Sequence, residues 1–195
     1  MTARKILILI AMAILAAVPS LQAQDQDAGA AQAAMLAAAT PGPVHAFLAE
    51  KAGAWNVTVT MWTQPGAEPG VSTVTSKIEM VLGGRYMRED FSGEFFGMPF
   101  TGIGFTGYNN STGMVTATWM DNMSTGTMVM TGKYGRAGDP LETSGKMFDP
   151  VSGKDMTMRS VTTWKSNDEF TTVYYVVMEG MGEFKSMEMV YKRLL

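Results

Sequence analysis

From Trp55 to Arg193 one local pattern repeats about ten times: a short run of alternating apolar and polar residues, closed by a cluster of Gly, Pro, Asn, Asp or Ser. Alternation with a period of two places successive side chains on opposite faces of an extended strand. An amphipathic helix would instead repeat its apolar positions every three or four residues. Trp55, Val57, Val59 and Met61 alternate with Asn56, Thr58, Thr60 and Trp62, and the turn residues 65–70 follow. Ser72, Val74, Ser76, Ile78, Met80 and Leu82 then oppose Thr73, Thr75, Lys77 and Glu79. Further strands are predicted over residues 85–91, 96–105, 114–120, 127–134, 141–148, 155–164, 169–178 and 183–193. Their separators carry turn chemistry, and no helical pattern stands between them, so consecutive strands must pair as hairpins in an antiparallel meander.

An open meander exposes two long edges that invite aggregation, and closure removes both. The sequence therefore predicts an all-β fold, an antiparallel up-and-down barrel of about ten strands preceded by a short helix. A two-sheet sandwich is the competing arrangement. A barrel of that strand number closes round a cavity rather than a solid centre. Gly97, Gly102, Gly104 and Gly107 mark the fourth strand as the most bent.

The N-terminal region is organised differently. Arg4 and Lys5 precede the apolar run 6–18, and Pro19, Ser20, Leu21, Gln22 and Ala23 follow. A positive start, a core too short to span a bilayer and a small residue before the cut describe a cleavable signal peptide, residues 1–23. The expected destination is periplasmic or secreted, in a bacterium. Residues 24–43 are rich in Ala, Gln, Asp and Gly and read as a loose tether, in which residues 30–39 can coil. Residues 44–195 form the single barrel domain. It opens on a helix over residues 43–52, with Pro43 in its first turn, Phe47 and Leu48 on its apolar side, and Gly53 as its stop. His45 on this helix reads as an exposed or capping residue.

Composition narrows the chemistry. The 195 residues contain no cysteine and one histidine, with a formal charge of −3. Disulfides, thiolate metal sites, iron–sulfur clusters and thiol nucleophiles are excluded, as is a multi-histidine metal site. There is no basic footprint for nucleic acid, and no other segment is long and apolar enough to span a membrane as a helix. No cofactor is expected, since Walker, G-x-S-x-G, H-E-x-x-H and EF-hand patterns are missing from the sequence.

Methionine is the anomaly, at 19 residues. Met128 and Met130 share a strand face, as do Met156 and Met158, and Met187 and Met189, while neighbours such as Thr157, Arg159, Glu188 and Lys192 are polar. These faces point inward, either as adaptable apolar lining or as a thioether site for Cu(I). On the last strand Tyr191 and Arg193 continue the parity of Met187 and Met189. A phenol and a guanidinium at the end of an apolar wall can hold an acidic head group, with the tail among the methionines. The ligand-facing set is thus Met128, Met130, Met156, Met158, Met187, Met189, Tyr191 and Arg193, joined by Arg85 at the mouth and Trp119. Arg85, Tyr86, Arg88, Glu89 and Asp90 put charge on both faces of the third strand.

Five segments in order carry a family resemblance. They are L-A-E-K-A-G-A-W-N-V at 48–57, L-G-G-R-Y at 82–86, G-F-T-G-Y-N at 104–109, T-W-M-D at 118–121 and M-V-Y-K-R at 189–193. Together, over residues 45–193, the chain resembles the bacterial family described as domain of unknown function 1579. That resemblance implies a lipocalin-like, or calycin-like, barrel and no defined activity.

The expected function is that of an exported binding protein holding a small apolar or amphipathic molecule in a Met- and aromatic-lined cavity. One alternative is a barrel enzyme using Asp90, Glu89 or Asp121, which requires a carboxylate inside the cavity with a raised pKa. The other is a structural protein whose barrel is filled by its own side chains.

Overall fold

The computed structural model describes residues 19–95, 97–150, 153–178 and 182–194. The apolar run of the expected signal peptide lies outside these residues. The chain falls into two units, Met1–Thr40 and Pro41–Leu195. In the first, α1 spans Pro19–Ala39, so the stretch read as a loose tether is helical, and the expected cleavage point after Ala23 lies within the helix. Its alanines explain this, since alanine loses least on entering a helix. Residues 28–39 are all exposed, and the Thr40 hydroxyl donates to the Leu36 carbonyl at 2.6 Å.

The second unit opens with α2, Pro43–Ala49, followed by ten strands. These are β1 Gly53–Met61, β2 Gly70–Val81, β3 Tyr86–Phe95, β4 Met98–Asn109, β5 Met114–Asp121, β6 Met128–Lys133, β7 Leu141–Asp149, β8 Lys154–Trp164, β9 Glu169–Met178 and β10 Gly182–Arg193. Every strand pairs antiparallel with its sequence neighbour, and β1 pairs with β10 in the register Val57↔Tyr191 and Val59↔Met189. The sheet is therefore a closed up-and-down barrel and not a sandwich.

Alternation decides what lies inside. Trp55, Val57 and Val59 of β1 join Val74 and Ile78 of β2, Phe91 of β3, Phe170 of β9, and Met189 and Tyr191 of β10 in one buried cluster. A bulge between Lys185 and Met187 admits one extra residue into β10, so that Phe184 packs on the inward Met130, Met158 and Val176 while Met187 packs on the Trp55 cluster. Without that residue one half of the strand would present the wrong face.

One end of the barrel is covered by α2. Val44 and Leu48 pack against Val115 of β5, Tyr134 and Leu141 of β7. The helix is held at its start by His45, whose Nδ1 accepts the Gly42 backbone N–H at 3.1 Å. His45 is buried with its ring edge on Tyr108, so it caps as expected but is not exposed.

The seam between β6 and β7 brings two backbones close at a pair of glycines. Thr131↔Ser144 is its register pair, flanked by Gly132 and Gly145. A methyl group at Gly132 would overlap the Glu142 carbonyl oxygen, and one at Gly145 the Val129 carbonyl oxygen. Both obstacles are backbone, which cannot yield as a side chain can. We predict that Gly132→Ala and Gly145→Ala each cost about 3 kcal/mol in urea unfolding. Gly135→Ala, where the added methyl meets open space, changes stability by less than about 0.5 kcal/mol. Equal effects at all three positions would contradict the close seam.

Candidate functional site

The barrel encloses a cavity of about 110 Å³, lined by side chains from β2 to β10 and by Leu48 and Lys51 at the α2 end. Most of the wall is apolar or aromatic: Ile78, Met87, Ala117, Trp119, Met128, Met130, Trp164 and Phe170. Two glycines of β4 shape one side. A Cβ at Gly102 or Gly104 would meet the Trp119 ring, so their bare backbone lets the indole lie across the strand. The Trp119 Nε1–H donates to Asp121 at 2.7 Å, and Asp121 also accepts the Met123 backbone N–H. Asp121 thus holds the indole and the turn after β5.

Into this wall projects one carboxyl group, Glu89. Strand parity puts it there, because Met87, Glu89 and Phe91 share a face of β3 and Phe91 is buried in the core. Its cross-strand neighbours are Ile78 on β2 and Gly104 on β4. The Ser76 hydroxyl donates to Glu89 Oε1 at 2.6 Å, and the Tyr191 hydroxyl donates to the same carboxyl group. Tyr174 lies close enough to feel its charge. Burial pushes the Glu89 carboxyl up to about 7; the Ser76 and Tyr191 hydrogen bonds oppose the shift without cancelling it, and the Asp90 charge adds to it. Tyr191 is raised well above the ordinary phenol range, chiefly by burial and then by Glu89 and Tyr174. Tyr174 is raised by burial and by Glu89. Both phenols therefore stay protonated and act as donors.

The other inward hydroxyls satisfy one another. Thr143 and Ser160 pair at 2.8 Å, and Thr162 and Thr172 at 2.9 Å. Lys51 is buried with its Nζ donating to Asn167 Oδ1 at 2.9 Å and lying over the rings of Phe47 and Trp164. Burial lowers its pKa, with Glu50 opposing and Arg193 adding to the shift. No buried side-chain nitrogen or oxygen among the described residues lacks a partner.

The residues singled out from sequence separate into groups. Tyr191, Trp119, Met128 and Met130 line the cavity. Met156 and Met158 pack beside them, against Met130, Val176 and Tyr174. Met187 and Met189 face inward but belong to the core around Trp55 and Phe91. Arg85 is exposed, its guanidinium donating to the Leu82 carbonyl at the β2–β3 turn. Arg193 lies away from the cavity wall, stacked over the Trp55 ring. Its fork donates to the carbonyls of Ala52, Glu50 and Asn167 and to the Asp168 carboxylate, at 2.7–3.2 Å. Sequence parity groups Arg193 with Met187, Met189 and Tyr191 and gives no sign of the Trp55 ring on which it stacks. The backbone carbonyls converging from α2 and the β8–β9 turn, which no pattern in the sequence announces, take the place expected for a ligand carboxylate. Of the three carboxylates considered as acids, Asp90 is tied to Arg88 at 2.7 Å and Asp121 to Trp119, leaving Glu89 in the cavity.

Two predictions follow from these placements. A carboxyl group with a raised pKa in the folded state binds protons more tightly there than in the unfolded chain. Its contribution to stability is full below the ordinary value near 4.5, shrinks as pH rises towards about 7, and then stays constant. Stability to urea should fall by about 2 kcal/mol between about pH 5 and about pH 8, and Glu89→Gln should remove most of that slope. A parent profile without the fall would contradict the buried acid. At the barrel end, Arg193→Ala should lower stability by about 3 kcal/mol and Arg193→Lys by nearly as much, because an ammonium cannot serve three carbonyls and a carboxylate from one plane. Full rescue by lysine in thermal melts would show that charge alone matters.

Comparison with known proteins agrees with this architecture. The family model described as protein of unknown function (DUF1579) matches residues 40–193. No curated protein matches the chain. Among solved structures, Rv2717c from M. tuberculosis is similar at 15% identity over 80% of this chain and 100% of that one, with a TM-score of 0.55. A redesigned β-barrel matches at 13% identity over 78% of this chain and 96% of that one, with a TM-score of 0.39. At such identities the likeness to Rv2717c concerns the barrel fold alone. The family match extends from just before α2 to the last residue of β10, and the chain belongs to the DUF1579 family.

Proposed function

We propose that this protein is an exported binding protein, periplasmic or secreted, that holds one small and largely apolar molecule inside the barrel. The observation that carries this reading is the carboxyl group of Glu89, held by Ser76 and Tyr191, in the wall of a cavity whose other polar side chains are hydroxyls and one lysine and whose larger share is apolar and aromatic. Polar groups inside a folded core cost stability, and their usual return is the orientation of a ligand. The leader-like sequence at residues 1–23 supports export.

Volume limits the occupant. An apolar cavity of about 150 Å³ accommodates benzene, whereas pockets for drug-sized ligands run from about 300 Å³. At 110 Å³ this cavity is smaller than that, so its occupant is at most one small ring seated with some movement of the wall, and a long acyl tail is excluded. Met128 and Met130 let the wall adjust, since thioether side chains change rotamer at little cost.

A second reading rests on the same carboxyl group. A glutamic acid titrating at about 7 is poised to take up and return a proton near neutral pH, as a barrel enzyme acting beside a carbonyl would require. It differs from binding alone in one respect: a bound ketone would exchange an adjacent C–H for deuterium in heavy water only where Glu89 is present.

Benzene provides a direct test of the binding reading. Titration into isotope-labelled protein should give saturable shifts at Ala117, Trp119, Met130 and Tyr191. Ala117→Leu, which places bulk in the cavity, should weaken binding about tenfold or more while leaving the fold intact. Failure to saturate up to the solubility of benzene, or shifts confined to the barrel exterior, would refute the internal site.

A further inference from the structure

The charge of the groups facing the cavity specifies its ligand further, an inference that rests on the internal binding site just proposed. Among the described residues that line the cavity Glu89 is the one acid and Lys51 the one base. They do not serve each other. The Lys51 ammonium is turned to Asn167, with Glu50 at 3.9 Å, at the α2 end. Glu89 sits further along β3 and meets the hydroxyls of Ser76 and Tyr191. An ionised carboxylate offers about four lone-pair sites, and these two donors occupy two of them. On the β4 side the opposite residue is Gly104, which contributes no side chain to fill the remainder. Around the same space stand the rings of Trp119, Trp164, Phe170, Tyr174 and Tyr191, and Phe170 stacks on Tyr191 at 4.0 Å between centroids.

We propose that the cavity selects a small organic cation, a ring carrying a protonated amine or amidine whose N–H groups donate to Glu89 and whose charge rests against the surrounding aromatic faces. Three physical terms agree on this. A carboxylate and a cation in a partly desolvated site attract more strongly than in bulk solvent. Aromatic faces attract cations, most of all when the cation is desolvated. An anionic head group would meet like charge and find Lys51 already engaged, which reverses the acidic ligand expected from Tyr191 and Arg193.

The same geometry makes the affinity depend on pH. Ser76 on β2, Tyr174 on β9, Tyr191 on β10 and Gly104 on β4 bring no positive charge to Glu89. Asp90, its neighbour in sequence, is paired with Arg88. A bound cation supplies the counter-charge and holds Glu89 ionised. Affinity therefore rises with pH until the free carboxyl group is itself ionised, near 7, and then levels off.

The test uses three probes of one size on the full folded chain: benzylamine as cation, benzyl alcohol as neutral molecule and benzoate as anion. Each is titrated by NMR into the parent and into Glu89→Gln, at about pH 8.5 and about pH 5.5. In the parent at the higher pH, benzylamine should bind about tenfold more tightly than benzyl alcohol, with benzoate weakest. That preference should shrink to about twofold or less at the lower pH, and likewise in Glu89→Gln, while benzyl alcohol binds the parent and the variant equally. The parent pH series stands independently of the variant. Benzyl alcohol binding as well as benzylamine at the higher pH, or an amine preference that survives Glu89→Gln, overturns the cation assignment and leaves the internal site standing. Binding of none of the three overturns both.

Discussion

The pairing of β1 with β10 converts a meander into a ring, and the interior exists because of it. Seven consecutive register pairs, from Trp55↔Arg193 to Met61↔Met187, replace what would otherwise be two rows of unpaired amides and carbonyls. Once the ladder is closed, the period of two has a single meaning all the way round: one parity is outside and the other is inside. That assignment carries Trp55, Val57, Phe170 and Tyr191 into the core. It carries Glu89 there as well, since a strand cannot turn one residue outward without a bulge. The barrel spends a bulge on β10, between Lys185 and Met187, and none on the described residues of β3.

Much of this was legible in the chain. The ten strands, their order and the closed barrel follow from alternation, turn residues and the cost of edges. The capping role of His45 follows from its place in the first turn of α2. What escaped depends on contacts distant in sequence. Arg193 is 141 residues from Ala52 and 143 from Glu50, whose carbonyls its guanidinium binds, and no local pattern marks a carbonyl as an anchor. Gly102 and Gly104 read as bends in β4, whereas their use is to leave room for the Trp119 ring from β5. The 19 methionines stand out as a class, but among the described residues Met87, Met128 and Met130 are those that border the cavity, and the inward neighbours Met187 and Met189 are core. The helicity of Pro19–Ala39 was underestimated because a run of alanine has little to pack with, although alanine needs less packing than other residues to remain helical.

Glu89 shows most clearly where local reading stops. The charged cluster 85–90 places ionisable side chains on both faces of β3, and a lone glutamate amid them gives no sign of which face is dry. Met87 and Phe91, two residues to either side, hold that information, because an aromatic residue and a methionine of one parity define the inward face. A carboxyl group so placed is retained at the expense of stability. Its two hydroxyl donors reduce the desolvation cost without removing it. Such a residue adds an acid to a wall of rings, thioethers and hydroxyls and ties the state of that space to pH.

The most direct measurement is the titration of the Glu89 carboxyl carbon by NMR in the folded protein, assigned by comparison with Glu89→Gln. A closed barrel that holds this side chain in an internal cavity beside Ser76 and Tyr191 predicts a midpoint near 7. A midpoint in the ordinary carboxylate range, near 4.5, would show that Glu89 is in bulk water and would contradict the enclosed polar site.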